Sequence, residues 1–101
     1  MPRGNEPLGD IATEVLFENE RVKIWTLVVD PGEASPWHLH PRDYLTITVE
    51  GDRISLEHED GSTEASTHEP GRWKWHGEHV VHRVVNDGAT RYRNILVELK
   101  D

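Results

Sequence analysis

Pro31-Gly-Glu-Ala-Ser-Pro-Trp-His-Leu-His40 leads into Pro41-Arg-Asp-Tyr44 and then Leu45-Thr-Ile-Thr-Val-Glu-Gly51. A single residue separates His38 from His40. Alternate side chains of an extended strand share a face, so both imidazoles project the same way. Two neutral imidazoles side by side on a strand are half of a transition-metal site. The competing reading is a pair of solvent-facing histidines on an edge strand. Tyr44 keeps the parity of His38 and His40 across Pro41. From there Tyr44, Thr46 and Thr48 alternate with Leu45, Ile47 and Val49, the period of a half-buried strand.

Outward from this stretch the same pattern repeats. Val15–Glu18 and Arg21–Val29 read as strands on the N-terminal side, with Asp30-Pro31-Gly32 a turn. On the C-terminal side, Arg53–His58, Ser62–His68, Arg72–His76, His82–Asn86 and Arg91–Leu99 read as strands separated by Gly- and Asp-containing turns. No 12-residue window carries the i, i+3, i+4, i+7 apolar spacing of a helix. The expectation is an all-β sandwich or barrel formed by residues 13–101, preceded by an irregular arm over residues 1–12 that is ordered only if docked.

The chain has 101 residues and no cysteine, which removes disulfides and thiolate ligands and fits a reducing, cytoplasmic setting. Nineteen acidic against 11 basic residues give a net charge of −8. That balance argues against nucleic-acid and anionic-membrane partners. No apolar run approaches the roughly 20 residues of a membrane span, and the first ten residues lack the apolar stretch of a signal peptide. Histidine is the outlier in composition, at seven. His82 lies on a strand of its own. Taken alone it reads as a satisfied core histidine more readily than as a ligand.

Spacing joins these residues into two motifs. Gly32, His38, His40, Tyr44 and Gly51 form the first; Gly71, Gly77, His79, His82 and Asn86 form the second. Together they resemble the two signature motifs of the cupin superfamily. Within it the chain is similar to small single-domain members related to the β-alanine degradation protein BauB, on the phrases Leu16-Phe-Glu-Asn19, Pro31-Gly-Glu33, Trp37-His38 and Asp43-Tyr44. The resemblance implies an antiparallel jelly-roll barrel, or double-stranded β-helix, in which two hairpins converge on one divalent metal. The implied ligands are His38, His40 and His82. The family's carboxylate ligand falls at Tyr44, and its Pro-x-Gly becomes Gly77-Glu78-His79, where Gly77 is left to supply an unusual backbone angle.

Three uncharged imidazoles leave a divalent ion its full charge and open positions. Such a set resembles that of the thiol and diketone dioxygenase cupins, which use ferrous iron; Mn, Ni, Zn and Cu also accept imidazole. Tyr44 is then a candidate catalytic acid or hydrogen-bond donor, or simply a packed aromatic. Asp43 is a fallback ligand or a turn residue, and His79 a residue of the mouth or the surface. His58, His68 and His76 read as surface or rim. Trp25, Trp37, Trp73 and Trp75 suggest core filling first and a homodimer face second. The expected ligand is a small polar or carboxylated metabolite, bound in a pocket shaped by Thr46, Thr48 and Val84. Function within this frame divides into a metalloenzyme, dioxygenase-like or an isomerase or lyase, and a non-catalytic ligand-binding or sensing module.

Overall fold

A computed structural model describes residues 3–100 and shows nine strands with no helix among them. They are β1 (Glu14–Glu18), β2 (Val22–Val29), β3 (His38–Leu39), β4 (Tyr44–Glu50), β5 (Arg53–His58), β6 (Thr63–Thr67), β7 (Trp73–His76), β8 (Val81–Val85) and β9 (Tyr92–Leu99). Two antiparallel sheets result: β1-β2-β9-β4-β7, and β3-β8-β5-β6. This is the all-β jelly-roll architecture expected from the alternating sequence.

Long pairings hold the larger sheet. β2 and β9 match over eight positions from Val22↔Leu99 to Val29↔Tyr92, and β9 continues onto β4 through Tyr44↔Glu98 and Thr46↔Leu96. Side-chain alternation then sorts residues between faces. Leu27, Val29, Tyr44, Tyr92 and Leu96 turn inward and meet Ile54 and Val84 from the other sheet. Burying such apolar area is the main favourable term for a chain of this size.

The outer face of the larger sheet is also apolar. Register places Phe17, Ile24, Val97, Leu45 and Trp75 in one cross-strand row, and Thr26, Ile95, Ile47 and Trp73 in the next. Trp73 and Trp75 are 68% and 50% exposed, so neither fills the core as the sequence suggests, whereas Trp25 and Trp37 are buried. β7 is an edge strand, and its apolar residues face away from the interior.

Residues 3–13 contain no strand but are tied down. The Gly9 amide donates to the Trp37 carbonyl at 2.7 Å, and Trp37 Nε1 donates to Glu6 at 3.1 Å. Arg83 covers the Trp37 ring at 4.9 Å. Trp37 is thus held on the side of its strand opposite the histidines.

Left-handed backbone occurs at Gly32 (φ +83°), Gly51 (φ +110°) and Gly71 (φ +87°), but not at Gly77. The expected unusual angle at Gly77 is therefore absent, and a Cβ there would meet only ordinary contacts at 3.7 and 3.8 Å. Gly51 differs, because a Cβ would lie 2.9 Å from Tyr92 Cα, a backbone atom that cannot yield cheaply. Gly32 has open space around its missing Cβ. Gly51→Ala should therefore cost more than about 2 kcal/mol, strain plus clash. Gly32→Ala should cost about 1 kcal/mol, strain alone. Urea denaturation of the two variants measures the difference, and equal losses would contradict this account.

Candidate metal centre

The two motifs meet through backbone pairing. Gly32 N donates to Asn86 O at 2.9 Å, Ser35 N to Val84 O at 2.8 Å and His40 N to Val80 O at 3.4 Å. His38 pairs directly with His82 across β3 and β8. Asn86, fully buried, closes the end of this ladder: its Nδ2 donates to the Val29 and Thr90 carbonyls and its Oδ1 accepts from Gly88 N. Leu39, between the histidines, points outward, and His38 and His40 point in.

The three imidazoles converge. One ring nitrogen from each of His38, His40 and His82 lies within 4.8 Å of the others, and all three residues are buried. Ring centroids are 4.8 to 4.9 Å apart, each pair nearly edge-on. His38 Nδ1 sits 2.8 Å from the Pro36 carbonyl, which only accepts, so Nδ1 carries the proton and the Nε2 lone pair is free. His40 Nε2 and His82 Nε2 face each other at 3.0 Å. That is the spacing of two nitrogens each about 2.1 Å from one ion at about a right angle. The donor set fits a divalent transition metal.

Electrostatics favour the same use. Burial, with help from His38 and His82, pulls the His40 pKa down to about 2. Burial and His38 bring His82 to about 3, and burial lowers His38 as well. All three rings are therefore neutral near pH 7, the form that ligates.

Tyr44 is sandwiched between imidazoles. Its ring stacks on His40 at 4.0 Å and on His76 at 4.4 Å, nearly parallel to both. Burial pushes its phenol well above the usual range, so the group stays protonated. Asp43 and His79 do not join the trio. They pair with each other at 2.9 Å, each about half exposed.

Of the histidines read as surface or rim, His76 belongs to the interior and half-buried His68 sits where the cavity meets the adjoining groove. His76 is buried: Glu78 accepts from its Nδ1 at 2.9 Å, leaving Nε2 to accept from the Thr46 hydroxyl at 3.1 Å. His68 bridges Thr48 and Ser66 at 3.0 and 2.8 Å. Both line, with the trio, a cavity of about 50 Å³ that Tyr44, Thr46 and Val84 also help to form. Thr48 lines an adjoining groove. His58 stays at the margin, its ring 6.5 Å from that of His82.

No protein-family model and no curated protein matches the chain. Solved structures do. A cupin domain from Bordetella pertussis Tohama I aligns with a TM-score of 0.79 at 31% identity, over 97% of this chain and 100% of that one. A protein with a double-stranded β-helix domain from Klebsiella pneumoniae aligns at 0.67 and 19%, over 98% and 81%. An RmlC-like cupin family protein from Methanocaldococcus jannaschii aligns at 0.65 and 19%, over 90% and 93%. The latter two show the fold alone.

The buried rings make the metal-free protein sensitive to acid. As pH falls below about 6.5 the unfolded chain takes up protons that folded His40 and His82 refuse until about pH 2 and 3. Stability should therefore fall between pH 6.5 and 3, by up to about 1.4 kcal/mol per pH unit for each ring. His40→Gln should flatten the slope. Urea midpoints at pH 7, 6 and 5 test this; parallel profiles for variant and parent would refute it.

Proposed function

The chain belongs to the cupin family, and we propose that it is a divalent-metal enzyme acting on a small polar or carboxylated metabolite, with dioxygenase-like chemistry. One observation carries this reading: three buried, neutral imidazoles from two motifs converge on the wall of a small cavity. In it His38, His40 and His82 hold the ion, iron first among those that accept imidazole. A bound ion supplies Lewis acidity and open positions for substrate and dioxygen.

The remaining residues work around that point. The Pro36 carbonyl holds His38 in the ligating tautomer. Tyr44, protonated and without a hydrogen-bond partner among the described residues, has its hydroxyl available to a bound ligand. Leu27, Ile54, Leu56 and Leu96 give the cavity apolar walls that limit water. Its volume admits only a few water-sized groups, which suits a metabolite and not a polymer. The narrower likeness to β-alanine degradation proteins rests on short sequence phrases. A cytoplasmic location belongs to the same reading, through the absence of cysteine.

A homodimer is the assembly this reading assigns. The outer face of the five-stranded sheet spans ~24 Å across and ~20 Å along the strands, about 500 Å². That is near the upper end of apolar patches on monomers. Pairing two copies face to face covers both and reaches the roughly 1,000 Å² a stable interface needs. Trp73→Lys with Trp75→Lys should turn a dimer into a monomer in sedimentation without changing metal content. A parent protein that sediments as a monomer removes the assignment.

For the centre itself, purified protein should hold about one equivalent of divalent metal, and metal should raise the melting temperature. His38→Ala or His82→Ala should lower metal affinity by at least about a hundredfold. Unchanged metal content in His38→Ala would end the reading. Iron-loaded protein should consume dioxygen with a thiol, diketone or amino-acid substrate. Metal binding without any such turnover would assign a ligand-sensing role instead.

A further inference from the structure

Five imidazoles line the cavity. Those of His38, His40 and His82 bring one ring nitrogen each to a common point. His68 has a hydroxyl on each nitrogen, from Thr48 and Ser66. Among the described residues His76 is the cavity imidazole bonded to a carboxylate: Glu78 accepts from its Nδ1 at 2.9 Å. An ionised carboxylate only accepts, so the His76 proton resides on Nδ1 and Nε2 carries a lone pair. The Thr46 hydroxyl, 3.1 Å away, then donates to Nε2. Its single proton is used in that bond, so toward the cavity Thr46 offers lone pairs alone. The hydrogen bonds all run one way, from the cavity wall through Thr46 and His76 to Glu78.

This chain lies beside the metal centre. His76 pairs with Tyr44 across β7 and β4 and stacks on it at 4.4 Å, while Tyr44 stacks on His40 at 4.0 Å. One aromatic ring therefore separates His76 from the trio. Thr46, two residues along β4 from Tyr44, is on the same face and lines the same cavity. That cavity admits only a few water-sized groups, so a molecule within it meets Thr46 and the trio together. The His76 side chain is 10% exposed and that of Glu78 49%, so the imidazole is enclosed and its counter-charge stands in water. Tyr44, kept protonated by burial, can donate but takes up no proton. Asn94 lines the cavity too, but its unpartnered Oδ1 is fully enclosed and out of a guest's reach.

We propose that Thr46, His76 and Glu78 form a general-base relay that takes a proton from an O–H or S–H group of a substrate held beside the metal centre. The heteroatom–hydrogen bond breaks and its electron pair stays on the oxygen or sulfur. That proton moves to the Thr46 oxygen as the Thr46 proton moves to His76 Nε2, and the Glu78 carboxylate neutralises the imidazolium so formed. Glu78 is a positioning residue: it acts through His76, by fixing the tautomer. The relay deepens the metal-enzyme reading and rests on it. It narrows the substrate to a small weak acid that binds as its anion, a thiol or an enol.

The test uses zinc, which has no redox chemistry, and 2-mercaptoethanol, a thiol of few atoms. Mixed with zinc-loaded protein at a pH below the thiol's own ionisation, it should give rise to thiolate absorbance. Thr46→Val keeps the shape, removes the hydroxyl and should slow that rise at least about tenfold; Thr46→Ser should restore most of the rate. Glu78→Gln should slow it about a hundredfold, because the new amide donates to Nδ1 and reverses the tautomer. A second readout needs no metal: nitrogen NMR shifts should place the His76 proton on Nδ1 in the parent and on Nε2 in Glu78→Gln. Zinc content should be the same in parent and variants. A parent-like rate in either Thr46→Val or Glu78→Gln overturns the relay. Equal loss in Thr46→Ser and Thr46→Val means packing and overturns it too. So does a zinc-bound parent that forms no thiolate, or a parent His76 protonated on Nε2. Protein that holds no zinc overturns the metal reading instead, and the tautomer then decides the direction of the chain by itself. Should Thr46→Val not fold, Glu78→Gln, at a half-exposed position, and the parent tautomer still decide.

Discussion

The structure hangs on one antiparallel ladder, between residues 32–40 and 80–86. It sets His38 opposite His82 and seals the two sheets at the end where Asn86 is buried. Side-chain direction in a strand has a period of two, so a slip of one residue would turn the paired imidazoles to solvent and Leu39 and Val81 inward. The hydrogen bonds from Gly32 to Asn86 and from Ser35 to Val84 prevent that slip. Metal site and fold are thus specified by the same contacts. The turn at Gly32, whose backbone is left-handed, delivers the chain into that register.

Placing three basic rings in the interior carries a cost that the fold meets by keeping them neutral. Burial is the largest influence on His38, His40 and His82; His38 and His82 further disfavour charge on His40, and His38 disfavours it on His82. His38 is further constrained by the Pro36 carbonyl, which settles where its proton resides. The result is a cluster of lone pairs aimed at a common point without a counter-charge. A group of this kind stabilises nothing by itself. His40 Nε2 and His82 Nε2, at 3.0 Å, can share one proton or face one ion, and neither arrangement is available to charged rings.

Much of this was legible in the sequence because period-two alternation and histidine spacing are local signals. The strand runs and the absence of helix follow from residues read in order, and His38, His40 and His82 are grouped by the family resemblance that their motifs carry. What alternation does not say is which face is inside. On β7, Trp73 and Trp75 looked like the buried face; they are the exposed one, and Lys74 and His76 face inward. His76, set among polar neighbours on an edge strand, reads as surface or rim for the same reason and is buried instead. The parity of His76 with Lys74, read against Thr46 on the neighbouring strand, was the available signal, but using it requires the β4–β7 pairing. Asn94 carries no local signal at all. Its open acceptor exists only because β9 lies between β2 and β4, with Leu27 and Thr48 on either side.

The position where the family resemblance places a carboxylate shows how one substitution redistributes a site. A carboxylate at Tyr44 would bring a negative charge beside His40 and favour its protonated form when no ion is bound. The phenol brings no charge, and its burial keeps it from acquiring one. It instead fills the space with a flat ring stacked on His40 and on His76, nearly parallel to both. His76 is in turn fixed by Glu78 on one nitrogen and Thr46 on the other. The acid missing from the centre is thus found one imidazole further out, at the partly exposed Glu78, where it orients a ring without touching the trio. The acidic charge is kept at the edge, and hydrogen-bond direction is passed inward through His76.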